Sequence, residues 1–141
     1  MLPEETTVPT DPTTPEERFV AIVDDDASVR RSSRRLIRAL GYRAEAFGSA
    51  EEFLHSGEVK STACLILDMR MPGMNGLELQ RRLAGSAIPI VFITGRASEE
   101  EERRALRAGA VAFLRKPVDK QTLLRVLGAV LDTSESEGGR P

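Results

Sequence analysis

Asp68 closes an unbroken apolar run, Ala63-Cys64-Leu65-Ile66-Leu67, and Met69-Arg70-Met71-Pro72-Gly73 follows at once. An apolar run halted by Pro and Gly reads as a buried strand with one carboxylate at its C-terminal end. Other runs end in residues of matching chemistry: Asp24-Asp25-Asp26 after Phe19–Val23, Thr94 after Ile88–Ile93, and Lys116 soon after Val111–Leu114. Oxygen ligands without His or Cys suit a hard cation such as Mg²⁺. Clustered carboxylates need such a cation to offset their repulsion. A carboxylate can attack phosphorus, and a neighbouring hydroxyl and ammonium can hold the phosphoryl oxygens. Together these residues read as a cation-dependent phosphoryl site.

Such a site needs its contributors on one rim. Strand and helix patterns alternate along the chain. Val29, Leu36, Ile37 and Leu40 recur at helical spacing, and Gly41 closes that helix. Tyr42–Phe47 reads as a shorter edge strand. Ser49 to Glu52, Asn75 to Glu78 and Ser98 to Glu101 have the capping-box pattern, so each opens a helix. The helix after Ser98 has little apolar face beyond Ala105, Leu106 and Ala108, and is expected to be loosely held. Gly109 ends it. Asp119 caps the last helix, in which Leu123, Leu124, Leu127, Val130 and Leu131 form the buried stripe. Five strand–helix pairs with short connections predict a doubly wound α/β fold. Its five-stranded parallel sheet has order 2-1-3-4-5, with helices on both faces. In such sheets the carboxyl ends of the strands carry the ligands.

A length of 141 residues suits one domain. Residues 1–17 hold Pro3, Pro9, Pro12 and Pro15 among Thr and Glu, and 132–141 are equally polar, so both read as disordered around a domain at 18–131. The net charge of −2 gives no sign of general nucleic-acid affinity. A single Cys, no signal peptide and no run of about 18 apolar residues point to a reduced, cytoplasmic setting without membrane contact.

VAIVDDD, LILDMRMPGMNGLEL, FITG and AFLRKPV resemble the receiver domain of two-component response regulators. The fold of that family is flavodoxin- or CheY-like. The resemblance covers Phe19 to Leu131, and the spacing of Asp25, Asp68, Thr94 and Lys116 fits it. Each motif alone is weak; their succession at consecutive strand ends is specific. ITGR…RAGAVAFLRKPV is most similar to the FixJ-like branch.

The resemblance implies that Asp68 is a phosphoacceptor, taking a phosphoryl group from a sensor histidine kinase or a histidine phosphotransfer protein. It implies Mg²⁺ held by Asp25, Asp68 and the Arg70 backbone carbonyl, with Asp24 behind them or reaching the metal through water. Thr94 and Lys116 would contact the phosphoryl group, Phe113 would turn inward with Thr94, and Lys116-Pro117 would be a cis peptide. The expected output is a shift of the face made by the fourth helix, fifth strand and fifth helix, controlling an unidentified partner protein. Whether phosphorylation drives a homodimer through that face stays open. So does whether the chain stands alone, is the N-terminal receiver of a DNA-binding regulator, or works as a phosphate-independent adaptor. Arg70 and Arg96, two residues after Asp68 and Thr94, are candidates for tuning phosphate lifetime by hindering water.

Blander readings exist for each residue. Asp24–Asp26 could only cap a helix, and Phe113 could be simple core. Arg30, Arg31, Arg34, Arg35 and Arg38 could be a solvated face of the first helix, or, as the resemblance implies, a docking surface for kinase helices. An Asp-nucleophile phosphatase would want an acid/base Asp where Arg70 stands. A nucleotide or flavin binder would want a Gly-rich loop after the first strand, and none is there. A non-enzymatic signalling switch is the reading that uses the whole set.

Overall fold

A computed structural model describes the backbone of residues 18–139 and the side chains of residues 18–131. The polar lead expected at 1–17 lies outside the described residues. The strands are β1 (Phe19–Val23), β2 (Ala44–Phe47), β3 (Thr62–Leu67), β4 (Ile90–Thr94) and β5 (Ala112–Arg115). The α-helices are α1 (Ala27–Ala39), α2 (Ala50–Leu54), α3 (Gly76–Arg82), α4 (Glu99–Arg107) and α5 (Lys120–Gly139). All pairings are parallel and the sheet order is β2-β1-β3-β4-β5, the topology the sequence predicts.

Period-two alternation sorts the strand residues between two cores. Phe19, Ala21, Val23, Leu65, Leu67 and Phe92 face one side with Phe53, Leu79 and Ala105 of α2, α3 and α4. Val20, Ile22, Cys64, Ile66 and Val91 face the other with Ile37, Leu123, Leu127 and Leu131 of α1 and α5. Burial pushes the Cys64 thiol up to about 12, so it serves as packing and stays protonated.

Element ends differ from the sequence reading for local reasons. Tyr42 N–H still donates to Ile37 O in the turn that Gly41 makes at φ 101°, so β2 starts at Ala44. β4 starts at Ile90, after Pro89, which has no N–H for the ladder. β5 sits one residue later than expected and includes Arg115. α5 carries its helical backbone past Leu131 to Gly139, since propagating a formed helix costs less than starting one.

Candidate functional site

The ladder continues one residue beyond β1 and β3. Val23 is in register with Leu67, and Asp68 N–H donates to Val23 O at 3.0 Å. Asp24 and Asp68 therefore emerge side by side at the middle of the sheet. On the other flank Thr94 is in register with Arg115, and Lys116 N–H donates to Thr94 O at 2.9 Å. The four predicted contributors thus arrive on one rim.

Asp24 (4% exposed), Asp68 (8%) and Thr94 (0%) are buried. Carboxylate oxygens of Asp24, Asp25 and Asp68 all lie within 4.8 Å of one another, with Asp25 exposed. Lys116 Nζ donates to Asp24 Oδ2 at 2.8 Å and lies 3.5 Å from Asp68 Oδ2. Asp24 Oδ1 accepts Asp26 N–H at 2.9 Å, so both Asp24 oxygens are engaged by the protein. Asp26 turns away from the cluster. Its Oδ1 accepts Ser28 N–H and Val29 N–H and caps α1, which gives the helix-cap reading to this one Asp of the three.

Burial pushes the Asp68 carboxyl above its usual range; the Thr94 hydroxyl pulls it down, Asp24 raises it further, and Lys116 and Met69 N–H lower it, with burial prevailing. Burial by itself would lower the Lys116 ammonium, but Asp24 and Asp68 outweigh it and raise it, so the lysine is firmly charged. Thr94 Oγ1 also donates to Arg96 O at 3.1 Å and accepts Arg96 N–H at 3.3 Å. Its hydroxyl hydrogen is therefore directed at a loop carbonyl.

A cluster of carboxylate oxygens with no nitrogen or sulfur donor fits a hard divalent cation. Such a cation would meet Asp68 and exposed Asp25 first, since Asp24 is already occupied by Lys116.

The remaining predicted residues lie around this cluster. Phe113 is half-buried, its ring 5.7 Å from that of Phe92, and the Arg115 guanidinium lies 5.4 Å from its centroid. The Lys116–Pro117 peptide bond is cis. The Arg70 guanidinium is paired with Glu101: Nη2 is bonded to Glu101 Oε1 at 2.8 Å. That same oxygen accepts Ser98 N–H and completes the α4 capping box. Arg96 is exposed.

Sequence reasoning missed several supporting residues. Gly76 packs so closely that a Cβ there would meet Asp68 O at 2.6 Å and Phe92 Cε1 at 2.9 Å. Glu51 of α2 accepts Met74 N–H at 2.9 Å and so ties down the loop after Asp68. Buried Gln80 donates to Ala105 O, and Arg115 donates to Ala97 O and Glu102 Oε1. With Arg70, the Gln80 and Arg115 bonds fasten α4, whose Leu106 is 44% exposed and whose one buried residue is Ala105, to its neighbours. Such long-range partners leave no periodic signal; the Gly after Asn75 was the only visible hint.

Residues 20–128 match the model of a family described as the response regulator receiver domain. Nodulation protein W of Bradyrhizobium diazoefficiens is 45% identical over 116 residues, 81% of this chain and 51% of that protein. Response regulator protein TmoT of Ectopseudomonas mendocina is 41% identical over 118 residues, 82% of this chain and 54% of that one. The chain spans about half the length of these curated relatives. Among solved structures, a response regulator receiver protein from Burkholderia phymatum has a TM-score of 0.73 at 47% identity, over 82% of this chain and 95% of its own. FixJ-N has a TM-score of 0.73 at 33% identity, over 82% and 94% of the two chains.

Proposed function

Because the chain belongs to the response regulator receiver family of two-component systems, we propose that Asp68 is its phosphoacceptor and that phosphorylation there sets its output. The observation that carries this reading is the placement of Asp68. Its carboxylate is buried at the centre of the rim, with the Lys116 ammonium 3.5 Å away and the Thr94 hydroxyl against it.

In the proposed reaction an Asp68 oxygen attacks the phosphorus of a phosphohistidine on a sensor kinase or phosphotransfer protein. The P–N bond breaks, the imidazole leaves with its electron pair and takes up a proton, and an acyl phosphate forms. Asp25, Asp68 and the Arg70 carbonyl would hold Mg²⁺, with Asp24 behind them. Bound there, Mg²⁺ supplies Lewis-acid neutralisation of the transferring oxygens. Lys116 leaves Asp24 for the phosphoryl oxygens, and the Thr94 hydroxyl donates its hydrogen bond to one of them in place of Arg96 O. Water later attacks the same phosphorus, releasing inorganic phosphate and restoring the carboxylate.

Losing the Thr94–Arg96 bonds frees the loop leading into α4. Phe113, beside Phe92, is positioned to take up the space. The α4–β5–α5 face, with Leu106, Val111 and Leu124 exposed, is where we place the contact with a partner, whether a separate protein, a second copy or an attached output domain. This is a signalling role rather than substrate turnover. Among the described residues no helix is long and apolar enough to cross a membrane.

The test is incubation with acetyl phosphate and Mg²⁺, read by intact mass, for the parent and Asp68→Asn. The parent should gain one phosphoryl group and the variant none. Equal labelling, or labelling of neither, overturns the proposal, and the second result favours the phosphate-independent adaptor.

A further inference from the structure

The arginines of α1 face a common groove. Arg30, Arg31, Arg34, Arg35 and Arg38 line about 470 Å³ of space, with Ala27 at one end and Ala46 of β2 along the side. No carboxylate belongs to this lining. Three of the arginines are held by carbonyls: Arg34 Nε and Arg38 Nη2 donate to Ala44 O at 3.3 and 3.4 Å, and Arg30 Nη1 donates to Asp24 O at 2.8 Å. Those bonds orient the guanidiniums without neutralising them. The one carboxylate within ion-pair reach among the described residues is Glu45, 3.8 Å from Arg38 Nη2, and both of those side chains are largely exposed. Like charges three and four residues apart on a helix repel. Arginine forks in particular match carboxylates.

The chain itself carries a matching anion. Residues 1–17 hold Glu4, Glu5, Asp11, Glu16 and Glu17 and no Lys or Arg. They lead into β1, where Val20 N–H donates to Arg43 O and Val20 is in register with Ala44. Ala44 is the residue whose carbonyl holds Arg34 and Arg38. The acidic segment therefore leads through Arg18 into the strand that neighbours β2, and Ala46 of β2 lines the groove. The groove follows a 13-residue helix, about 20 Å long. Seventeen residues extend up to about 56 Å, so reach is ample. Tethering makes the contact intramolecular, at an effective concentration in the millimolar range.

We propose that the acidic N-terminal segment, residues 1–17, docks in the arginine groove of α1, carboxylates against guanidiniums, and screens that helix from acidic partners. A partner using α1 must then displace it. This inference stands apart from phosphoryl transfer at Asp68 and does not need it.

The test uses the full chain. Neutralise the segment (Glu4→Gln, Glu5→Gln, Asp11→Asn, Glu16→Gln, Glu17→Gln) and compare backbone and arginine Nε–H resonances with those of the parent. Changes should be confined to α1 and β2, and salt near 0.5 M, where screening is short-ranged, should reproduce them in the parent. Inorganic tripolyphosphate, used as a probe of the groove, should bind the neutralised variant about tenfold more tightly than the parent, since it no longer competes with a tethered anion. Arg31→Gln with Arg35→Gln should make the same neutralisation nearly silent at α1. Unchanged α1 resonances, equal tripolyphosphate affinity, or undiminished changes in the arginine variant would overturn the proposal. Shifts that depend on protein concentration would also overturn it, giving the groove to a second copy.

Discussion

The Lys116 ammonium is bonded to Asp24, at 2.8 Å, and stands farther from Asp68, at 3.5 Å. It is a counter-charge held between the two carboxylates. A divalent cation entering the carboxylate cluster must share that space with it.

Lys116→Met should therefore tighten Mg²⁺ binding by at least roughly tenfold, because one nearby positive charge is gone. Titration calorimetry reads this directly. The same variant should lose about 1–3 kcal/mol of stability without Mg²⁺, since Asp24 is left buried and unpaired, with the partial exposure of Lys116 moderating the cost. An unchanged Mg²⁺ affinity would mean that the ammonium simply moves aside.

Asp25 and Asp26 adjoin in sequence and should separate in effect. Asp26→Ala removes the α1 cap and should cost about 1 kcal/mol in denaturant unfolding while leaving Mg²⁺ affinity intact. Asp25→Ala should do the reverse. Loss of metal binding in both would return Asp26 to the cluster.

Arg70 and Glu101 set a third test. If the Arg70 guanidinium shields an acyl phosphate at Asp68, its bond to Glu101 holds it back. Glu101→Gln should then lengthen phosphate lifetime, and Arg70→Asn should shorten it. Each is measured by loss of phosphoryl mass after the donor is removed. Equal lifetimes in parent and both variants would leave the ion pair with an anchoring role for α4 alone.

Gly76→Ala should destabilise the protein by about 1–3 kcal/mol through overpacking. A Cβ there meets the Asp68 carbonyl and the Phe92 ring, both fixed in the core. Thermal unfolding checks it, and a neutral result would show that the loop yields.

Glu51 gives a pH signature. The Met74 N–H bond holds its carboxyl below the ordinary glutamate range. A depressed folded value means that the loop tie is present above the unfolded value and is lost as pH falls through the folded one. The Met74 amide resonance should follow that acid-side transition, and Glu51→Gln should abolish it.

What the sequence disclosed follows from how each feature is encoded. Apolar runs such as Cys64–Leu67, and caps such as Asn75 and Ser98, are local, and the structure keeps them. At Ser49 only half of the expected capping box forms, because Glu52 turns to Gly48 N–H. Parallel register then carries Asp68 beside Asp24, and Lys116 next to Thr94, with little further freedom. Residue type alone did not separate Asp24, Asp25 and Asp26, because three identical neighbours differ only in which way the chain turns after Val23; the family resemblance implied Asp25 at the metal with Asp24 behind it, and left the cap at Asp26 undistinguished. The anchoring of α4 was hidden too. Its partners Arg70, Gln80 and Arg115 come from three distant segments and match no periodic pattern.

The outer rim of the sheet has one more consequence. Ala44 presents its carbonyl on an edge strand, where another chain could add a strand of its own, yet Arg34 and Arg38 already occupy that acceptor. A strand added at this edge would have to displace both guanidiniums before it could bond there.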